Sequence, residues 1–130
     1  MSGAAEGRGG SRRKRRRLSR SGDFDRVYRD GRSHANRYLV VYSFPRAGEA
    51  EPRLGISVGR KVGGAVVRNQ VKRMLRDAFW ACGDSLPDGY DFVIVARPEM
   101  ASVAGGQGAA GVEEQLRSVL ASAGIGGDAQ

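Results

Sequence analysis

The chain has 130 residues, with 22 Lys and Arg against 14 Asp and Glu for a formal net charge of +8; this is the size of one ordinary domain, biased toward a polyanionic partner. Its 40% hydrophobic residues can fill a small core, while 20 glycines imply looser segments around it. The single Cys82 and single His34 exclude an internal disulfide and a cysteine-based metal site and leave little for histidine-dependent catalysis; with no apolar run longer than Phe92 to Ala96 and charges where a signal peptide needs apolar residues, a soluble cytoplasmic protein is expected.

Residues 1–20 carry eight basic side chains against Glu6, a net +7 with almost no apolar content, and are expected to form a disordered basic arm. By composition the arm is either a generic sticky or import-signal-like tail or a nucleic-acid contact. The folded domain is expected over residues 21–123, with a flexible tail at 124–130. Its first element is a short helix from Ser21 to about Asp30, with Phe24, Val27 and Tyr28 at i, i+3, i+4 and Gly31 as the stop. Arg37 to Phe44 (RYLVVYSF) then predicts a strand with Tyr38, Val40, Tyr42 and Phe44 on one face and Leu39 and Val41 on the other. Arg53 to Val58 (RLGISV) predicts a second strand, most simply antiparallel to the first.

The sharpest signal follows Gly63 and Gly64. From Ala65 to Ala81 the residues Val67, Val71, Met74, Leu75 and Ala78 share one helical face, and Arg68, Asn69, Lys72, Arg73 and Arg76 take the remaining arc. Residues 53–76 hold seven basic residues and no acid, whereas residues 77–130 net −6. A solvated helix face normally mixes charge signs, and like charges at i, i+4 repel by a few tenths of a kcal/mol per pair; an acid-free row therefore points to a bound phosphate backbone. Beyond a Pro87-Asp88-Gly89 turn, Tyr90 to Ala96 (YDFVIVA) predicts a buried strand closed by Pro98. Residues 100–111 read as a mobile Gly- and Ala-rich segment, and Val112 to Ala123 as a last helix with Glu113 and Glu114 in its first turn. The element order gives an α+β fold in which helices cover one side of a small sheet, leaving the other for a ligand.

Catalytic constellations are wanting. Asp84, Asp88 and Asp91 are the closest carboxylate cluster, and they read as turn and solvating residues with no basic partner nearby; Gly59 to Gly64 lacks a Walker ending, and Cys82 reads as a helix-end filler. The aromatics Phe24, Tyr28, Tyr38 and Tyr42 are either core or a platform on which unpaired bases stack.

The stretch Arg53 to Arg76 (RLGISVGRKVGGAVVRNQVKRMLR), with its Arg-Asn-x-x-Lys-Arg-x-x-Arg core, closely resembles the signature of the bacterial ribonuclease P protein subunit. Its flanks do so as well: Arg17-Leu18 before Gly22-Asp23-Phe24, Ala35-Asn36-Arg37 before the aromatic strand, and Asp91 to Pro98. The resemblance covers about residues 17–123. It departs at Arg60, where the family often has Lys, and at Gln70, where many members have Arg. It implies a small mixed sheet of ribosomal-protein-like (S5 domain 2-like) fold with helices packed on one side and a left-handed βαβ crossover. It also implies a noncatalytic subunit of an endoribonuclease that removes the 5′ leader from precursor tRNA, with catalysis in the RNA subunit and Mg2+ bound mainly by that RNA. By the same resemblance, Arg60, Lys61, Arg68, Asn69, Lys72, Arg73 and Arg76 would contact the catalytic RNA, and Phe24, Tyr28, Asn36, Arg37, Tyr38 and Tyr42 would line the cleft for the leader of precursor tRNA. No catalytic or metal-ligating residue is expected in the protein, and no membrane partner. Two other readings predict different behaviour: a ribosomal or ribosome-assembly RNA-binding protein would have no link to cleavage, and a self-sufficient nuclease would cleave alone.

Overall fold

Alternation and helical spacing translate into a five-stranded sheet in the computed structural model, which describes residues 16–46, 48 and 50–125. The elements in chain order are β1 (Arg16–Arg17), α1 (Ser21–Asp30), β2 (Arg32–Ala35), β3 (Leu39–Pro45), β4 (Arg53–Val58), α2 (Ala65–Trp80), β5 (Tyr90–Ala96) and α3 (Met100–Ser122), with a 3-10 turn at Gly83–Ser85 before β5. The strand order is β1-β4-β5-β3-β2. β4 and β5 run parallel, from Arg53 opposite Asp91 to Val58 opposite Ala96, with α2 as their crossover.

The expected antiparallel pairing of β4 with β3 is therefore corrected. β5 lies between them, parallel to β4 and antiparallel to β3. The reason is burial: Asp91, Phe92, Val93 and Ile94 are all buried, and a strand apolar on both faces belongs at the centre of a sheet.

The two faces of the sheet carry two cores. On one, Leu39, Val41, Leu54, Val58, Phe92 and Ile94 meet Val71, Leu75, Ala78 and Phe79 of α2 and Met100, Val112, Leu116 and Leu120 of α3. Each fully buried large apolar side chain contributes about 1.5–3 kcal/mol. On the other, Leu18, Val27 and Val93 form a smaller cluster with Phe24, Tyr42, Phe44 and Val95. The two long helices share a side as expected. α1 does not: its stripe of Phe24 and Val27 finds apolar partners only on the opposite face, which it partly covers.

Two segments expected to be loose are structured. Arg16 and Arg17 pair in parallel with Arg53 and Leu54, and Leu18 is buried, so the arm expected at 1–20 loses its last residues to the folded body; residues 1–15 lie outside the described residues. The Gly- and Ala-rich stretch after residue 100 is the first half of α3, because burying Met100 and Val103 outweighs the roughly 1 kcal/mol that each helical glycine costs. Its composition shows instead as a break at Gly108, whose φ of 66° and ψ of −155° suit glycine alone. At the other end Ile125 packs against the larger core, and its N–H donates to Leu120 O at 2.8 Å; residues 126–130 of the expected tail lie outside the described residues.

Candidate nucleic-acid interface

The Asp91 carboxylate sets the frame of the site. It is completely buried, and contrary to the sequence expectation it has two basic partners: Oδ1 accepts from Arg46 Nη1 at 2.7 Å and from Arg53 Nε at 2.8 Å, and Oδ2 accepts from Arg53 Nη2 at 2.7 Å. A buried charge persists only when paired and hydrogen-bonded in this way. The Arg53 guanidinium is pushed above its ordinary pKa, chiefly by the hydrogen bond to Asp91. Arg53 also reaches Asp23 Oδ2 at 3.6 Å, which ties the first turn of α1 to the sheet.

With α1 so anchored, Phe24 and Tyr28 lie one turn apart over the face that carries Tyr42. The Phe24 and Tyr28 rings are 6.3 Å apart, and Tyr28 and Tyr42 are 5.0 Å apart, edge to face. Val27 between them is the buried anchor, while Tyr28 is 39% exposed and so keeps ring surface open to a ligand. Burial is the largest influence on the Tyr28 phenol and raises its pKa, opposed by a hydrogen bond from the Ser57 side chain. Gly55 makes room for the arrangement, since a Cβ there would lie 2.5 Å from Phe24 Cζ.

The other residues expected in the cleft are elsewhere. Asn36 is a structural residue: its Oδ1 accepts the N–H of Tyr38 at 2.8 Å and of Leu39 at 3.1 Å, and its Nδ2 donates to Gln115 Oε1 at 2.9 Å. This turn ends the alternation before β3 begins, so Tyr38 packs against the larger core while Tyr42 faces the smaller one. Arg37 is exposed, with its Cζ 5.6 Å from the Tyr38 ring centroid. Sequence reasoning misses Ser57, yet its place two residues after Gly55 in β4 puts it on the same face.

The second surface is α2. Val71, Leu75 and Ala78 are buried, and Arg68, Lys72 and Arg76 form a row at i, i+4, i+8 beside exposed Asn69 and Arg73. Exposed Arg60 and Lys61 occupy the turn leading to the helix. Among the described residues none of these cations enters an ion pair. Arg68 Nε is buried without a hydrogen-bond partner. An unsatisfied buried donor costs about 1–3 kcal/mol, and a phosphate oxygen would remove that cost. No three His, Cys, Asp or Glu among the described residues come together to hold a metal ion, and no helix among them is long and apolar enough to cross a membrane.

Known proteins share this fold. The family model described as Ribonuclease P matches residues 13–123. The ribonuclease P protein component of Bacillus cereus (strain 03BB102) is 41% identical over 91 residues, which is 70% of this chain and 79% of that protein. The structure of the Staphylococcus aureus RNase P protein superposes with a TM-score of 0.77 at 33% identity, covering 86% of this chain and 98% of that one. The Thermotoga maritima RNase P protein gives a TM-score of 0.71 at 34% identity, covering 83% and 96%. The chain thus belongs to the bacterial ribonuclease P protein family, as a subunit of a tRNA-processing ribonuclease that associates with the ribonuclease P RNA.

Proposed function

We propose that this chain acts as the noncatalytic subunit of ribonuclease P, with two separate RNA contacts. The α2 row, together with Arg60, Lys61, Asn69 and Arg73, neutralises phosphates of the catalytic RNA. The cleft of Phe24, Tyr28 and Tyr42 holds the single-stranded 5′ leader of precursor tRNA. Stacking an unpaired base on an aromatic ring is worth about 1–3 kcal/mol. Mature tRNA has no leader, so this energy favours substrate over product and lets the product leave. The RNA performs the hydrolysis of one phosphodiester that creates the mature tRNA 5′ end.

Magnesium belongs to the RNA in this reading. Among the described residues no three His, Cys, Asp or Glu come together to hold an ion, and both oxygens of Asp91 are committed to Arg46 and Arg53. No step is routed through a metal held by this chain. The observation that carries the proposal is the acid-free row on α2 with its unpartnered, buried Arg68 Nε, on a different element from the α1 and β3 residues of the aromatic cleft. Binding of Tyr28→Ala to precursor and mature tRNA, measured with the reconstituted holoenzyme, tests the leader contact. Affinity for precursor should fall about 5- to 100-fold with mature tRNA unchanged; equal losses for both would remove Tyr28 from the leader site.

A further inference from the structure

Side chains alternate along β4, so Arg53, Gly55 and Ser57 share one face, and each meets a different residue of α1. Arg53 Nη1 faces Asp23 Oδ2 at 3.6 Å. Gly55 leaves the space that the Phe24 ring fills, and Ser57 hydrogen-bonds the Tyr28 side chain. Leu54 and Val58, on the alternate face, belong to the larger core. The C-terminal end of α1 is fixed by shape: Gly31 lies so close to β3 that a Cβ there would be 2.7 Å from Ser43 O.

The charge contact at the N-terminal end is aimed by a third group. Asp91 takes Nε and Nη2 of Arg53 as a fork, at 2.8 and 2.7 Å, which fixes the guanidinium plane and leaves Nη1 for α1. Asp91 cannot yield, because it is completely buried and also held by Arg46, which donates in turn to Tyr90 O and Ala50 O. Asp23 stands in the first turn of α1, where the helix dipole favours a carboxylate, and Phe24 follows it directly. A shift of Asp23 relative to Arg53 therefore carries Phe24 with it and, one turn later, Tyr28.

We propose that Arg53 is a positioning residue for leader recognition: oriented by Asp91, it sets where the first turn of α1 lies on the sheet, and so the placement of Phe24 and Tyr28 against Tyr42. Arg53 acts through Asp23 and needs no contact with RNA in this role. The proposal rests on the reading of the aromatic cleft as the leader site.

Asp23→Asn breaks the α1 side of the link and leaves the fork between Arg53 and Asp91 in place. Affinity for precursor and mature tRNA is measured with holoenzyme reconstituted from the unaltered protein, Asp23→Asn, Tyr28→Ala and the double variant. Asp23→Asn should weaken precursor binding about 3- to 10-fold, leave mature tRNA unchanged, and add little in the Tyr28→Ala background, since groups acting through one contact are not additive. The sign is diagnostic, because an acid that merely repels the RNA would strengthen binding when neutralised. Arg53→Lys keeps the cation but loses the fork, and should show the same loss of preference for precursor. Arg26 Nη1 lies 3.4 Å from Asp23 Oδ1 on the exposed side, and Arg26→Gln should keep that preference. Equal losses for precursor and mature tRNA in Asp23→Asn, tighter binding, or a full loss that persists in the Tyr28→Ala background would overturn the proposal. A preference that survives Arg53→Lys, or one that disappears in Arg26→Gln, would overturn Arg53 as the group that places the helix. The two readings fail separately: a Tyr28→Ala holoenzyme that still prefers precursor sinks the leader site itself, whereas a preference lost in Tyr28→Ala but kept in Asp23→Asn sinks the positioning role alone.

Discussion

Tyr28 of α1 stands edge-on to Tyr42 of β3, with ring centroids 5.0 Å apart and planes at 78°. This packing holds Tyr28 against the sheet while the residue stays 39% exposed. Burial raises the Tyr28 pKa above 10.0. The sign follows from the phenol being an acid. Below about pH 10 it is protonated in both folded and unfolded chains; above that, the unfolded chain ionises first, so stability falls as pH rises toward the folded-state pKa. Phenolate absorbance of the four tyrosines should show a late component that Tyr28→Phe removes and Ser57→Ala moves still higher. A Tyr28→Phe profile that keeps the late component would assign it elsewhere.

Gly55 is the floor beneath Phe24. A Cβ at this position would lie 2.5 Å from Phe24 Cζ and 2.7 Å from Cε1, so Gly55→Ala must displace the ring. We expect a loss of about 1–3 kcal/mol in urea unfolding, accompanied by weaker binding of precursor tRNA. At Gly22, in the first turn of α1, a Cβ would meet nothing within 4 Å, and Gly22→Ala should instead be neutral or stabilising by roughly 0.5–1 kcal/mol. Equal effects at the two positions would contradict the packing described.

Asp91 binds two arginines from inside the sheet. Asp91→Asn keeps the shape and removes the charge, leaving Arg46 and Arg53 without their counter-ion, and should cost about 3–5 kcal/mol by denaturant unfolding. The exposed Glu113–Arg117 pair on α3, 2.8 Å apart at i, i+4, is the comparison; Glu113→Gln should cost no more than about 0.5 kcal/mol. An Asp91→Asn cost as small as this would mean that the buried network contributes little.

The α2 row has an electrostatic signature. Removing one cation from a bound phosphate should reduce the slope of log affinity against log salt by about 0.7–0.9. Arg68→Ala and Arg73→Ala should each flatten catalytic-RNA binding by that amount. Wild-type slopes in both variants would make the row a solvated face.

Much of this was legible because α1, α2, β3, β4 and β5 each bury a patterned side. The helix that presents Arg68, Lys72 and Arg76 follows directly from the spacing of Val71, Leu75 and Ala78. Strand neighbours were not legible, since β4 and β5 are joined through a whole helix and their pairing is decided by which strand is buried on both faces. β2 (RSHA) has no apolar alternation and exists through its pairing with β3, and β1 likewise exists through β4. In α3, glycine content concealed the anchors Met100 and Val103. The partners of Asp91 come from the end of β3 and the start of β4, and sequence distance hides both. Tyr38 departs from its expected face because the Asn36 turn intervenes before the strand begins.

The central claim is that this chain serves ribonuclease P RNA in removing the 5′ leader. It is tested most directly by mixing the purified protein with that RNA and a precursor tRNA at a magnesium concentration too low for the RNA alone. Leader removal should rise strongly on addition of the protein, and the protein without RNA should cleave nothing. Leader removal that the protein leaves unchanged, or cleavage by the protein alone, would contradict the account.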